Sequence, residues 1–231
     1  MIISHKYKFL FFCPTGNCAT TSIYKALLPF HDENKVERIY ESNFEHPLNK
    51  NPKGMSDPHE GVFNKKLIVS KHIPPSRFFG FNVFKDQDFE NYTKFAVVRN
   101  PWDWCLSVFL KSASEAGSSL GQQTDFKFEA ELLNITLNMI YHGKNFYKTQ
   151  YDTVSEADKE SYITDFLKFE NLNDDFNQIC SKLNLPPLSL GHEQNNKNTA
   201  QKKYQKYYTE ASREIVAKRF KKDIEIFNYT F

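Results

Sequence analysis

Three short stretches of this chain hold residue types suited to binding and moving phosphate-like groups. The first, CPTGNCATTS (13–22), sets small residues and three hydroxyls between an apolar run and a helical pattern. Gly16 permits a tight turn, and Ala19 is small enough for an anion to approach the backbone. Thr20, Thr21 and Ser22 bring hydroxyls and N–H groups to the start of a helix. The second, TKFAVVRNPWDWCLS (93–107), reads as a buried strand that ends on Arg99 and turns at once into a helix. Asn100 suits the N-cap, Pro101 the first helical position, and Asp103 the first turn. Ser107 follows inside that helix, so a guanidinium, a hydroxyl and a helix N-terminus are offered to one anion, with phosphate the expected species. The third, Lys71-His72, puts an ammonium and an imidazole after a short apolar run and ahead of Pro74-Pro75. Histidine is the natural proton acceptor near neutral pH. The bland readings are an ordinary strand-to-helix turn for the first stretch and a backbone-bonded histidine for the third.

The elements that must position these residues follow from apolar pattern and punctuation. Strands are expected over Tyr7–Cys13, Leu67–Ser70 and Thr93–Val98, and helices over Thr20–Leu28 and from Pro101 to about Ser112. Residues 31–60 are polar and rich in Pro and Asn, and read as an irregular insertion. Residues 113–124 are Gly/Ser/Gln-rich and read as a mobile loop. Phe126–Tyr141 is expected to be helical, and Tyr162–Phe169 mixes strand and helix signals. Asn173–Leu183 is an amphipathic helix with Phe176, Ile179, Cys180 and Leu183 on one stripe. Thr209 caps a last helix with the stripe Val216, Phe220, Ile224 and Phe227. The alternation implies an α/β fold, a single domain over 1–231 with a central parallel sheet flanked by helices. In such sheets ligands sit at the carboxyl ends of strands, where all three chemical stretches are expected to fall.

Composition narrows the classes. With 40% hydrophobic and 25% charged residues the chain is globular, and a net charge of +2 argues against a nucleic-acid partner. The basic run within Lys197–Lys222 reads mainly as a solvated face. No apolar run is long enough to span a membrane, and the one near the N-terminus is too short for a signal peptide. Cys13, Cys18, Cys105 and Cys180 lack metal-site spacing and indicate no disulfide framework, so a cytoplasmic location is the default. His5, His31, His46, His59 and His142 read as surface residues, and Trp102 and Trp104 as packing residues.

Taken together, the first loop and the later RNPxDxxxS segment resemble the sulfotransferase family, whose members move a sulfuryl group from 3′-phosphoadenosine 5′-phosphosulfate (PAPS). SKHIPPSRF (70–78), FLKFENLNDDF (166–176) and the tail GHEQNNKNTAQKKYQKYYTE…FKKDIEIFNYTF (191–231) are similar to segments of its carbohydrate-type, bacterial-like branch. The resemblance implies a P-loop-like sulfotransferase fold. It assigns Asn17, Cys18, Ala19, Thr20, Thr21 and Ser22 to the 5′-phosphosulfate, and Arg99 and Ser107 to the 3′-phosphate. It also implies a hydroxyl acceptor on a carbohydrate or glycolipid, PAPS as donor and no required metal. His72 is the expected base. Asn17 stands where many members carry Lys or Arg, which leaves Lys71 or Lys25 to supply the cation. The family's His-x-Asn segment reads here His192-Glu193-Gln194. Two further readings are a P-loop nucleotide kinase, which needs the absent GxxxxGK[ST] loop and Mg²⁺, and a PAPS-binding module impaired in catalysis through Asn17.

Overall fold

A computed structural model describes residues 1–13, 16–32, 36–38, 61–63, 66–69, 75–79, 89–115, 140–141, 144–145, 149–155, 161–191 and 204–231. In chain order the elements are β1 (Ile2–Ser4), β2 (Phe9–Phe12), α1 (Thr20–Leu27), β3 (Val36–Arg38), β4 (Gly61–Phe63), β5 (Lys66–Val69), α2 (Pro75–Phe79) and β6 (Thr93–Val98). There follow α3 (Pro101–Glu115), β7 (Ile140–Tyr141), β8 (Lys144–Asn145), α4 (Gln150–Val154), β9 (Asp165–Lys168), α5 (Leu172–Lys182), α6 (Glu210–Arg219) and α7 (Lys221–Phe227). The contacts divide the chain into two compact units, Met1–Val98 with Asp152–Glu193, and Arg99–Tyr151 with Gln194–Phe231.

The first unit is built on a four-stranded sheet in the order β1-β2-β6-β9. Strands β2, β6 and β9 are parallel, in register Phe11↔Phe95 and Phe95↔Asp165. β1 is an antiparallel edge strand that sequence reasoning missed, because Ile2–Ser4 is too short to show a period. Every residue of β2 is fully buried, as a strand covered on both faces requires. The side-chain alternation of a strand then sorts the core. Ile3, Leu10, Phe12 and Ala96 join Met1, Phe78, Phe89, Val154 and Ile163 in one cluster. The rings of Phe9 and Phe11 meet Phe95 at 5.9 and 5.1 Å. All three parallel strands end at the same edge of the sheet.

Beyond β9 the chain makes a single 3₁₀ turn, Phe169–Asn171, before α5. Asp175 holds that turn, accepting from the Lys168 N–H at 2.7 Å and from Asn171 Nδ2 at 2.8 Å. The mixed strand and helix signal over Tyr162–Phe169 thus resolves into a strand and a tight entry to a helix. The expected stripe of α5 is buried at Phe176, Ile179, Cys180 and Leu183. His5 and His31, expected at the surface, are half-buried. His5 Nδ1 lies 2.7 Å from Tyr92 Oη and its ring stacks on Phe89, while the Ile3 N–H donates to His31 Nδ1 at 3.2 Å.

Two expectations about the middle of the chain are corrected. The strand expected at Leu67–Ser70 is β5, but it pairs with β3 and β4 in a separate three-stranded sheet rather than with β2 or β6. Which ladder a short apolar run joins depends on its partners' edges, which its own sequence does not encode. Of the insertion 31–60, residues 36–38 form β3, and 33–35 and 39–60 lie outside the described residues. Residues 113–115, expected in a loop, form the last turn of α3, and 116–124 lie outside the described residues. Of the helix expected over 126–141, the described residues 140 and 141 are instead a strand paired with β8.

The second unit packs α3 against the tail. Trp102, Cys105, Leu106, Phe109, Val216 and Phe220 form its core, with Trp104, Tyr204, Tyr208 and Phe231 partly buried around them. Trp102 and Trp104 are packing residues, as expected. Thr209 caps α6 through a reciprocal bond with Ser212. The single last helix expected from the apolar stripe is broken at Phe220 into α6 and α7, although the stripe stays buried at Val216, Phe220 and Phe227. Lys206, Arg213, Lys218, Lys221 and Lys222 are exposed, the solvated face expected of the basic run.

Phe95 sits between two buried rings at the centre of the first sheet. Phe95→Ala is expected to cost about 3–5 kcal/mol of unfolding free energy, read from the shift of a urea midpoint at constant slope.

Candidate functional site

In the first unit the candidate anion site is the turn between β2 and α1. Asn17 (φ 60°) and Ala19 (φ 51°) both lie in the left-handed region, whereas Cys18 between them does not. Alternating hand along consecutive residues turns successive N–H groups toward one point, an arrangement that binds anions. Asparagine tolerates this conformation, but an alanine there costs about 1–2 kcal/mol. Ala19 is also the N-cap of α1 and makes no side-chain cap. The turn is therefore strained at Ala19, and strain of this kind recurs at functional sites.

The side chains around the turn divide clearly. Cys18 is fully buried with its Sγ 3.4 Å from the Gly16 carbonyl, so its thiol points inward. Thr20 and Ser22 are buried and Thr21 is half-buried. The Ser22 N–H donates to the Ala19 carbonyl at 3.1 Å, which commits that group within the turn. Gly16 is not in the left-handed region, and a Cβ added to it would meet nothing within 4 Å. The bend is made by Asn17 and Ala19 instead. Lys25 lies one helical turn beyond Thr21 and is exposed. Lys71 and His72 lie outside the described residues.

The second unit has a candidate site of its own, built on the residues that follow β6. Asn100 is the N-cap expected of it: its Oδ1 accepts from the Trp102 N–H at 3.1 Å, and its carbonyl accepts from the Trp104 N–H at 2.8 Å. Asn100 Nδ2 also donates to the Thr230 carbonyl and to Tyr204 Oη, tying the start of α3 to the tail. Tyr208 Oη donates to the Trp102 carbonyl at 2.7 Å, and Trp102 Nε1 to the Arg213 carbonyl at 3.0 Å. Arg99 is only 3% exposed, and Ser107, two turns along α3, is also buried.

Arg99 is held at both backbone and side chain. Its Nε donates to Asp103 Oδ2 at 2.7 Å, an ion pair one helical turn apart. Its N–H donates to Gln150 Oε1 at 2.9 Å, and its carbonyl accepts from Gln150 Nε2 at 2.7 Å. Gln150 is anchored in turn by Asp223, a fully buried carboxylate on α7. Asp223 accepts from the N–H groups of Gln150 at 2.8 Å and Tyr151 at 2.9 Å, which open α4. Burial pushes the Asp223 carboxyl above its ordinary range, opposed by the hydrogen bonds from Tyr151, Gln150 and Thr149. Burial likewise pushes the neighbouring Cys105 thiol far up, and the Asp223 charge adds to the shift.

A model of the sulfotransferase family matches residues 1–230 of the chain. The chain belongs to the sulfotransferase family. Among solved structures, this sulfotransferase is similar to mouse sulfotransferase SULT7A1 complexed with PAP, with a TM-score of 0.50 at 13% identity. The match covers 99% of this chain and 91% of the mouse one, and at that identity the likeness is one of fold. No curated protein matches the chain.

Sequence reasoning about this sulfotransferase missed three residues that hold Arg99. Asp103 was legible as a helix-start carboxylate, and its spacing of four from Arg99 also signalled the ion pair. Asp223 carried a signal too, a charged residue three after buried Phe220 on an apolar stripe. Gln150 carried none, because its partners are distant in sequence. Among the described residues no cluster of His, Cys, Asp and Glu is arranged to hold a metal ion, and no helix is long and apolar enough to cross a membrane.

The left-handed turn makes opposite predictions for two substitutions at Ala19. Ala19→Gly is expected to raise stability by about 1 kcal/mol, whereas Ala19→Val lowers it, since a β-branched residue resists positive φ. Gly16→Ala is expected to be neutral or to stabilise by up to about 1 kcal/mol. Chemical denaturation of the three variants checks all of these. Buried Cys105 should resist thiol reagents at pH 8 in the folded protein and react on denaturation, which mass spectrometry of labelled peptides reads out.

Proposed function

We propose that this sulfotransferase moves the sulfuryl group of PAPS to a hydroxyl of a carbohydrate or glycolipid acceptor. The observation that carries the donor half is the strained turn at Asn17–Ala19, which leads its backbone N–H groups into the start of α1. A terminal phosphosulfate is the kind of anion such a turn favours. The mouse sulfotransferase of similar fold was solved with PAP, the nucleotide left when PAPS has given up its sulfuryl group. The acceptor class is supported by the order of the SKHIPPSRF, FLKFENLNDDF and tail segments.

Each group then takes a stated role. Asn17, Cys18, Ala19, Thr20 and Thr21 receive the 5′-phosphosulfate, mainly through backbone N–H groups, and Ser22 shapes the turn behind them. Arg99 and Ser107 read the 3′-phosphate, with the guanidinium supplying charge and the hydroxyl a further hydrogen bond. The acceptor oxygen attacks sulfur in line with the bridging oxygen. The new S–O bond forms as the old one breaks, and the bonding pair leaves with the phosphate of the nucleotide. The acceptor proton passes to His72. Lys71, or Lys25 on α1, supplies the positive charge that Asn17 lacks, since charge gathers on the departing phosphate.

Two measurements test this reading. A thermal-shift panel should show wild-type protein stabilised more by adenosine 3′,5′-bisphosphate than by AMP, and Arg99→Ala should abolish the difference. Equal responses of the wild type to the two nucleotides would refute the 3′-phosphate assignment. In a sulfate-transfer assay with PAPS and a panel of glycans and glycolipids, His72→Ala should lower kcat by about 10²–10⁴-fold and leave nucleotide binding intact. A fully active His72→Ala would remove His72 from the role of base.

A further inference from the structure

Among the described residues, the two buried charged side chains are Arg99 and Asp223, and one side chain links them. Gln150, itself only 3% exposed, donates its backbone N–H to Asp223 and closes its side-chain amide on both backbone groups of Arg99. We infer that Gln150 and Asp223 are positioning residues for Arg99, and that through it they set how well the protein distinguishes a nucleotide with a 3′-phosphate from one without. The inference rests on the reading of Arg99 as the 3′-phosphate contact.

The physical argument starts from cost. A buried carboxylate is expensive, and an apolar residue of similar volume often serves a core as well or better. The Asp223 carboxylate stands where it meets the N–H groups of Gln150 and Tyr151 and the side chain of Thr149. Those bonds fix the backbone from which the Gln150 side chain departs. A primary amide carries a donor and an acceptor on one rigid plane, so it can satisfy an N–H and a C=O of the same residue together. Gln150 does this at Arg99, at 2.9 and 2.7 Å. Asp103 then fixes the Nε edge of the guanidinium. Backbone and side chain are thus both set before any ligand arrives. Such preorganisation raises affinity by removing an ordering cost at binding.

The test compares affinities for adenosine 3′,5′-bisphosphate and AMP, which differ only in the 3′-phosphate, by calorimetric titration of the full chain. Arg99→Ala serves as the reference, and Gln150→Met and Asp223→Asn as near-isosteric variants with the bonds removed or altered. The preference for the bisphosphate is expected to collapse in Arg99→Ala. It should fall on the order of tenfold in the other two, with affinity for AMP unchanged. A merely structural role would lower the melting temperature and leave the ratio as it is. If Arg99→Ala keeps the wild-type ratio, the reading of Arg99 itself fails. If Arg99→Ala loses the preference while Gln150→Met and Asp223→Asn both retain it, the positioning role is overturned. Failure of both isosteric variants to fold would assign the network to global stability and overturn it equally.

Discussion

Between the last residue of a buried strand and the first turn of a helix, the backbone has donors and acceptors that neither element can satisfy. At the end of β6 those residues are Arg99 and Asn100, both buried. Unpaired polar groups there would each cost on the order of 1–3 kcal/mol, so every one needs a partner. Asn100 caps the helix with its own side chain and uses its amide nitrogen to hold the tail. Arg99 borrows a side chain from far along the chain, Gln150, which in turn depends on Asp223. The second unit is organised around this requirement: α4 begins where Gln150 must stand, and α7 carries the carboxylate that holds α4.

The same requirement explains why the tail is rich in aromatic and hydroxyl groups. Tyr204, Tyr208 and Phe231 pack edge-on against one another and around Trp102, and the two tyrosine hydroxyls reach backbone carbonyls. Large apolar bodies with one polar tip can bury area and still pay no hydrogen-bond penalty. In the first unit the demand is met differently. Its turn at Asn17–Ala19 takes left-handed backbone at both residues and accepts strain at Ala19.

Much of this was legible in the sequence where the signal is local. Thr93–Val98 as a strand, Asn100 as a cap, the start of α1 at Thr20 and the stripe of α5 all rest on spacing within one element, and each lies where expected. Local reasoning failed where two conformations share one pattern. The apolar stripe from Val216 to Phe227 continues through a break at Phe220, because burial repeats across a kinked pair of helices as it does along one. Gly16 permits a tight turn, but the left-handed residues of the loop are Asn17 and Ala19, which no local pattern marked.

By itself, the sequence determined the α/β class, the strand-to-helix junctions at residues 13–20 and 98–101, and membership of the sulfotransferase family. These depend on residue type and short spacing. Only the tertiary structure decided which sheet β5 joined, which residues of the first loop turned left-handed, and what holds Arg99. The reason is physical. A strand's ladder and the partner of a buried backbone group are settled by groups outside the local pattern, as with the Arg99 N–H and Gln150, 51 residues apart. No period or motif near a residue records which distant donor or acceptor folding will bring to it.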